Sequence, residues 1–210
     1  MAKLKKPKPS SYNPGKQERS QRTFEDIVKA GTLILRDTPD KFTTNRIAEK
    51  AGISIGHLYQ FFPNKDSILD AIFERELEQD RLLVEKRVEG AKLNATRAAI
   101  ALVMEIILEV NSRHPRLRRA MWMNLGGGRR QELLRETHLT NVRKVAELLK
   151  RCEDWEKKRD PMRLSLIMLS SYMAVLNFNN EVGLFEDREL VRELGEMYGV
   201  GAGSGFGSGR

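Results

Sequence analysis

The sequence has few of the features that secreted, membrane-embedded or metal-dependent proteins need. Cys152 is the one cysteine among 210 residues, so no disulfide can form within the chain and a zinc site built on several cysteines is excluded. No run approaches the roughly 18 uncharged apolar residues of a membrane span. The basic N-terminus is not followed by the apolar segment of a secretory signal. We therefore predict a soluble cytoplasmic protein with no membrane partner.

Patterns typical of catalysis are also missing. His114 and His138 do not have metal-ligand spacing with each other or with carboxylates. The triple glycine at 126–128 lacks the preceding strand and the following Lys-Ser/Thr of a phosphate-binding loop. The rival interpretation of a helical-bundle enzyme finds no nucleophile–base pair to support it. We predict that the chain is not an enzyme and that it uses no metal and no cofactor.

The segment TTNRIAEKAGISIGHLYQFFPNK contains two short helical patterns around a glycine. Thr43 or Thr44 can cap the first helix, because a hydroxyl oxygen accepts bonds from unpaired backbone N–H groups. Gly52 can adopt the positive φ of a sharp helix end. Ser54 can cap the second helix, and Pro63 ends it. Two short helices joined by a tight glycine turn are typical of a helix-turn-helix, whose second helix enters the DNA major groove.

These residues resemble the DNA-binding head of TetR-family (tetracycline-repressor-like) transcriptional regulators. The resemblance rests on Thr43-Thr44, Ile47-Ala48, Ala51-Gly52-Ile53-Ser54, Gly56, Leu58-Tyr59, Phe62 and Asn64-Lys65. It extends back over a helix from about Arg19 to Asp37 and forward to about Leu77. It implies an all-α protein with an N-terminal three-helix helix-turn-helix head and a C-terminal helical bundle for regulation and dimerisation.

We divide the chain into four parts on this basis. They are a disordered basic arm at 1–18, a helix-turn-helix DNA-binding domain at 19–79, a helical ligand-binding and dimerisation domain at 80–199, and a flexible Gly/Ser tail at 200–210. Residues 1–22 carry seven basic residues against one acidic residue, most of the net charge of +8. The arm is either a solubilising tail or a DNA-contacting segment that adds salt-dependent affinity.

Apolar periodicity predicts the helices. We expect them at about 20–36, 66–88, 95–112, 117–125, 130–151, 161–178 and 188–198, besides the two short ones. Asp66 is the predicted cap of the long helix, whose charged second half we expect in solvent. Glu105 and Glu109 are expected on a solvated face, and Arg118 on the surface.

The resemblance also implies which residues contact DNA. One set lies near the phosphate backbone: Thr43, Thr44, Asn45, Tyr59 and Lys65. A second set occupies the start and outer face of the recognition helix: Ser54, Ile55, Gly56, His57 and Gln60. Gly56 is a poor helix former, which close approach to DNA would explain. Ile55 would be exposed and suits a thymine methyl, and His57 departs from the small hydroxyl residue often found there. Tyr59 has an alternative role as a half-buried ring.

For the C-terminal domain the resemblance implies a pocket and a dimer interface. Candidate pocket residues are Met104, Ile107, Leu108, Met121, Trp122, Leu125, Met168 and Tyr172. Their alternative role is ordinary bundle core. Candidate interface residues are Leu166, Met173, Leu176, Leu190 and Leu194.

Together these patterns predict a homodimeric transcriptional regulator that binds double-stranded DNA. We expect it to repress from a palindromic operator and to be released by a small apolar effector. The alternatives are a constitutive or architectural DNA-binding protein without an effector site, or a transcriptional activator. On DNA, the protein would be associated with the nucleoid.

Overall fold

The computed structural model describes residues 14–89, 91, 93–126, 128–183 and 187–198, with backbone alone at 14–17, 180–181 and 187–188. These residues form helices joined by loops and turns, which confirms the predicted all-α class. The helices are α1 (Pro14–Asp37), α2 (Thr44–Ala51), α3 (Ile55–Phe61), α4 (Lys65–Glu89), α5 (Thr96–Ser112), α6 (Pro115–Met123), α7 (Arg129–Lys150), α8 (Pro161–Val182) and α9 (Asp187–Met197). None of the described helices is long and apolar enough to cross a membrane.

Two helix starts differ from the sequence prediction. Helix α1 begins at Pro14, so residues 14–18 are helical and not part of a disordered arm. Proline fits this position because the N–H groups of the first turn have no acceptor within the helix, so the missing N–H of proline costs no hydrogen bond. Helix α4 is capped by Asn64 and not by Asp66, since the Asn64 Oδ1 accepts the Ser67 N–H at 2.8 Å. Residues 1–13 of the predicted arm and the tail at 200–210 lie outside the described residues.

The first hydrophobic core joins the head to α6. Ile27 and Leu35 of α1, Ile47 of α2, Leu58 of α3 and Ile72 of α4 are completely buried in it. The same cluster contains Leu117, Ala120 and Met121 of α6. Helix α6 is therefore packed against the head, although it follows the predicted domain boundary at residue 79 by more than thirty residues.

The second core is formed by α5, α7, α8 and α9. Its buried centre includes Met104, Leu149, Met168, Tyr172 and Val191, which are at most 2% exposed. Helices α7 and α8 pack along each other, and the His138 Nε2 lies 3.0 Å from the Ser170 Oγ across them. This core and the first one are connected chiefly by α4, which contacts α1, α5 and α7.

The second half of α4 is not a solvated segment. The Lys144 Nζ of α7 donates to the Glu85 Oε1 at 2.8 Å and lowers the pKa of that carboxyl. Arg87 pairs with Glu105 at 3.0 Å and with Glu109 at 3.4 Å, so these two glutamates of α5 have a partner. The prediction of solvated faces here was wrong, because charged side chains on one helix can form ion pairs with a neighbouring helix instead of contacting water.

Candidate nucleic-acid interface

Helices α2 and α3 form the turn that the sequence predicts. The Thr43 Oγ1 accepts the Arg46 N–H at 3.3 Å and caps α2. Gly52 ends that helix at φ 70°, in the left-handed region where a side chain is strained. The Ser54 Oγ then accepts the His57 N–H at 3.1 Å and caps α3. Three local signals thus mark the start of α2, its end at Gly52 and the start of α3.

Helix α3 has one buried side and one exposed side. Leu58 and Phe62 are 0% and 2% exposed and anchor it to the first core. The residues between them in the helical wheel face away from the core and are exposed: Ile55, Gly56, His57, Tyr59 and Gln60. All five belong to the predicted DNA-contacting set, so the α3 members of that set lie on the exposed side of the helix.

Gly56 lies at the centre of this outer surface. A Cβ built on it would have no heavy atom within 4 Å. Its backbone is helical and does not need the left-handed conformation that requires glycine at position 52. No contact among the described residues therefore demands a glycine here, and the missing side chain leaves room for an outside molecule to approach.

The predicted phosphate-contacting residues lie beside this surface. Tyr59 is 50% exposed, so its ring is accessible while the alternative of a half-buried ring stays open. Its Oη lies 3.3 Å from the Thr44 Oγ1, so the start of α2 and the middle of α3 are adjacent. Thr43, Asn45 and Lys65 are exposed, and Lys65 begins α4. Backbone N–H groups at a helix start also favour an anion.

Arg130 connects the start of α4 to the C-terminal domain. Its guanidinium, 11% exposed, reaches the Asp70 Oδ1 at 2.9 Å and the Asp66 Oδ1 at 3.2 Å. It also donates to the Leu125 carbonyl at 3.0 Å. Burial raises the pKa of Asp70, and the nearby Arg130 charge opposes that rise. A residue of α7 thereby holds the helical turn that carries Lys65.

A second buried pair connects α4 to α6. Asp80 is 7% exposed and accepts a short hydrogen bond from the Arg118 guanidinium. Burial raises the pKa of Asp80, and Arg118 opposes the rise. The prediction of Arg118 as a surface residue was wrong, since its side chain is only 17% exposed. Sequence spacing carried no signal for this pair or for Arg130, because the partners are 38 and 60 residues apart.

The predicted pocket residues do not form one group. Met121 and Leu125 belong to the first core, with α6 against the head. Met104, Met168 and Tyr172 are buried in the second core, against which Ile107 and Leu108 pack. Trp122 is half-buried. A pocket that used all eight residues would have to cross from one core to the other, so the effector site stays a prediction.

The predicted interface residues need a correction. Leu166 is 45% exposed, but Leu176 and Leu194 are 2% and 8% exposed and belong to the chain's own second core. Met173 and Leu190 are half-buried against the same core. Helix α8 is apolar on both sides, so periodicity did not distinguish the core side from the outer side. The outer side contains Met162, Leu166, Ile167, Phe178 and Val182, each at least 39% exposed.

Neither the cysteine nor the potential metal ligands of the described residues form a reactive or metal-binding site. Cys152 is 5% exposed, and burial raises the pKa of its thiol, which makes it a poor nucleophile. No group of three or more potential metal ligands lies together in the part of the chain that the structure describes. The exposed surface of α3, flanked by Lys65, is consequently the arrangement with the clearest binding chemistry.

In class, the fold and this surface define a helix-turn-helix protein with an attached helical bundle. Residues 23–72 match the family model described as bacterial regulatory proteins, tetR family. The predicted resemblance to this family is confirmed for the helix-turn-helix head. The family is one of regulatory proteins, which agrees with the prediction that the chain is not an enzyme.

The chain is also similar to individual proteins and solved structures. The chain is 30% identical over 105 residues to the nucleoid occlusion factor SlmA of Actinobacillus pleuropneumoniae, half of each chain. It spans about half the length of the curated relatives that it matches. Two solved structures cover 89% of the chain with a TM-score of 0.65. They are SmeT, the repressor of the Stenotrophomonas maltophilia multidrug efflux pump SmeDEF (20% identity, 95% of its length), and the fatty acid degradation regulator FadR from Bacillus halodurans (13%, 100%). At these identities the structural similarity shows the fold alone.

Proposed function

We propose that this chain is a sequence-specific DNA-binding transcriptional regulator that represses from a palindromic operator as a homodimer. The observation that carries the proposal is the exposed side of α3, which has polar and apolar groups around an unexplained Gly56 and is anchored by Leu58 and Phe62. A recognition helix needs this combination: a rigid inner side and an outer side fit for base edges.

The proposed contacts fall into two classes. Lys65, Tyr59 and Thr44 bind phosphates and orient the head, which gives affinity without sequence preference. His57 and Gln60 offer donors and acceptors to base edges, and Ile55 offers an apolar contact to a thymine methyl. Because the two classes have different consequences, substitutions separate them.

The test begins with selection of sites from a random DNA library by the purified protein, followed by competition titration on the best site. Lys65→Ala should weaken binding to all sequences alike and reduce the slope of log affinity against log salt by about one. His57→Ala should instead change the selected bases. Lys157→Ala, which removes an exposed lysine from the loop before α8, is the matched control. Unchanged operator affinity in Lys65→Ala would contradict the assignment.

We propose that dimerisation uses the outer side of α8. Contiguous exposed apolar groups are typical of association surfaces, and Leu166, Ile167 and Phe178 are 45%, 52% and 63% exposed. Two copies related by a two-fold axis would bring two recognition helices to half-sites about one DNA turn apart.

Sedimentation of Ile167→Glu tests this interface. A carboxylate in an apolar interface is costly to bury, so the variant should shift toward the monomer mass. Met123→Glu is the control, since Met123 is 73% exposed on α6. A dimer that persists in the Ile167 variant would exclude this side of α8.

We further propose that a small apolar effector in the C-terminal domain releases the protein from DNA. The link would be α4, which Arg130 and Asp80 join to α7 and α6, since a ligand that prefers one arrangement of these helices changes the spacing of the two heads. A lipophilic panel that raises the unfolding temperature and lowers operator affinity would support this. An activator would use the same DNA contacts and differ only in operator position.

A second candidate function needs no effector. The predicted pocket residues are divided between two packed cores, and Met104 and Met168 are completely buried. The relative from Actinobacillus pleuropneumoniae is named as a nucleoid occlusion factor. A constitutive DNA-binding protein would give no thermal shift with any lipophilic compound while still selecting a palindrome. Either function would keep the protein on nucleoid DNA in the cytoplasm.

A further inference from the structure

A cleft lies where the head meets the C-terminal domain, between α1, α4 and α6. Its volume is about 160 Å³, and Leu33 and Leu117 form part of its apolar lining. Lys29 of α1 and Arg75 and Glu76 of α4 also line it. The cleft is separate from the predicted effector pocket, with which it shares no residue.

Glu76 is the unusual group in this cleft. Its side chain is 6% exposed, yet it makes no hydrogen bond or ion pair with any residue that the structure describes. Asp80, one turn further along α4, is equally buried at 7% but pairs with Arg118. Because Glu76 lines the cleft, its carboxylate is left to water or to a ligand there. Glu76 therefore lacks the partner that its neighbour has.

The cations around the cleft are also unpaired. Lys29 and Arg75 are exposed and make no ion pair with the described residues, whereas Arg36 is already paired with Asp37. Two free positive charges stand against the one carboxylate of Glu76. The cleft thus offers positive charge to an anion at its rim and a carboxylate acceptor to an N–H or O–H donor inside it.

We propose that this cleft binds a small polar molecule that carries both an acidic group and a hydrogen-bond donor. The acidic group binds Lys29 and Arg75, and the donor binds the Glu76 carboxylate. Engineered cavities of about 150 Å³ hold a benzene-sized molecule, so the ligand has about six to ten non-hydrogen atoms. An amino acid or a hydroxy acid has this chemistry.

The ligand would bridge three helices. Lys29 belongs to α1, Arg75 and Glu76 to α4, and Leu117 to α6, where it is part of the first core. Occupancy would hold α6 in one position against α1 and α4 of the head. An effect on operator affinity rests on the proposed function above, but the binding itself does not.

The test is titration of the full chain, observed by amide and methyl NMR, with three matched probes. β-Alanine has an ammonium and a carboxylate, propanoate has the carboxylate alone, and propylamine has the ammonium alone. β-Alanine should bind at least about tenfold more tightly than either single-group probe, because each charge-assisted hydrogen bond contributes a factor of this order. The signals of Leu33 and Leu117 should shift.

Two variants assign the groups. Glu76→Gln should remove the advantage of β-alanine over propanoate, and Arg75→Gln should remove its advantage over propylamine. Arg97→Gln, an exposed arginine on α5, should change neither ratio. The proposal is overturned if β-alanine leaves the cleft signals unshifted, or if both variants lose stability equally with no probe bound, since Glu76 and Arg75 would then pair with each other in solution.

A parallel titration of operator affinity separates this site from the proposed function. Binding of β-alanine with a change in operator affinity supports both. Binding of β-alanine by a protein that selects no DNA site supports the cleft and contradicts the regulator. Selection of a palindrome by a protein whose cleft signals never shift contradicts the cleft alone.

Discussion

Gly56→Ala should stabilise the protein and weaken its binding to DNA. Gly56 is the second residue of α3, where alanine is the better helix former. A methyl group there would meet no heavy atom of the described residues within 4 Å, apart from its own turn of helix. The free protein thus gains helix propensity without a clash, whereas a bound DNA molecule would meet the new methyl group.

The magnitude follows from the position. A glycine-to-alanine change inside a helix is worth about 0.5–1 kcal/mol, and α3 is short, so we expect about 0.5 kcal/mol. For a chain of this size that raises Tm by about 1–2 °C. Loss of close approach at the centre of the outer surface should reduce operator affinity at least about tenfold, or about 1.4 kcal/mol.

Gly31→Ala is the matched control. Gly31 is also helical, but a Cβ there would lie 3.1 Å from the Ile72 Cδ1 and 3.3 Å from the Ile68 Cγ2. Overpacking of this kind costs about 1–3 kcal/mol, so this variant should lose stability. Thermal unfolding and fluorescence anisotropy with a labelled operator give both quantities for each variant.

We expect the stability of Gly56→Ala to rise and its operator affinity to fall. If the variant binds the operator as tightly as the original protein, DNA does not approach this part of α3. If instead it loses stability, the backbone at position 56 is not the ordinary helix described here. Either result would remove the argument for a glycine in the recognition surface.

Three further predictions concern the links around α4. Arg130→Met should lower the free energy of unfolding by on the order of 3 kcal/mol, because it leaves the Asp70 carboxylate unpaired. Adding Asp70→Asn should recover part of the loss in urea titrations, and additive losses would contradict the pair. Asn64→Ala removes the cap of α4 and should cost about 1 kcal/mol in the same assay, with Asn94→Ala as an exposed control. Burial lowers the pKa of His138, so the folded state resists protonation. Stability should therefore fall as pH drops below about 6.5, where the unfolded chain takes up the proton first. This slope should disappear in His138→Gln, and a slope that persists would assign it to another group.

The local geometry of the head is largely readable in the sequence. The caps Thr43 and Ser54 and the left-handed Gly52 act on their nearest neighbours, so a short segment contains all the information needed. The buried Leu58 and the exposed Ile55 likewise follow from helical spacing once α3 is recognised. The class of protein could be predicted for the same reason, since the recognition unit is continuous in the chain.

Tertiary structure decided what depends on distant partners. Glu76 and Asp80 are one turn apart on α4, and only packing determines that Arg118 reaches one of them and no described residue reaches the other. Leu166 and Leu176 lie on the same apolar helix, yet one is exposed and the other buried because α8 packs on only part of its circumference. Charge and hydropathy specify what a side chain needs, but the fold determines which neighbour meets that need.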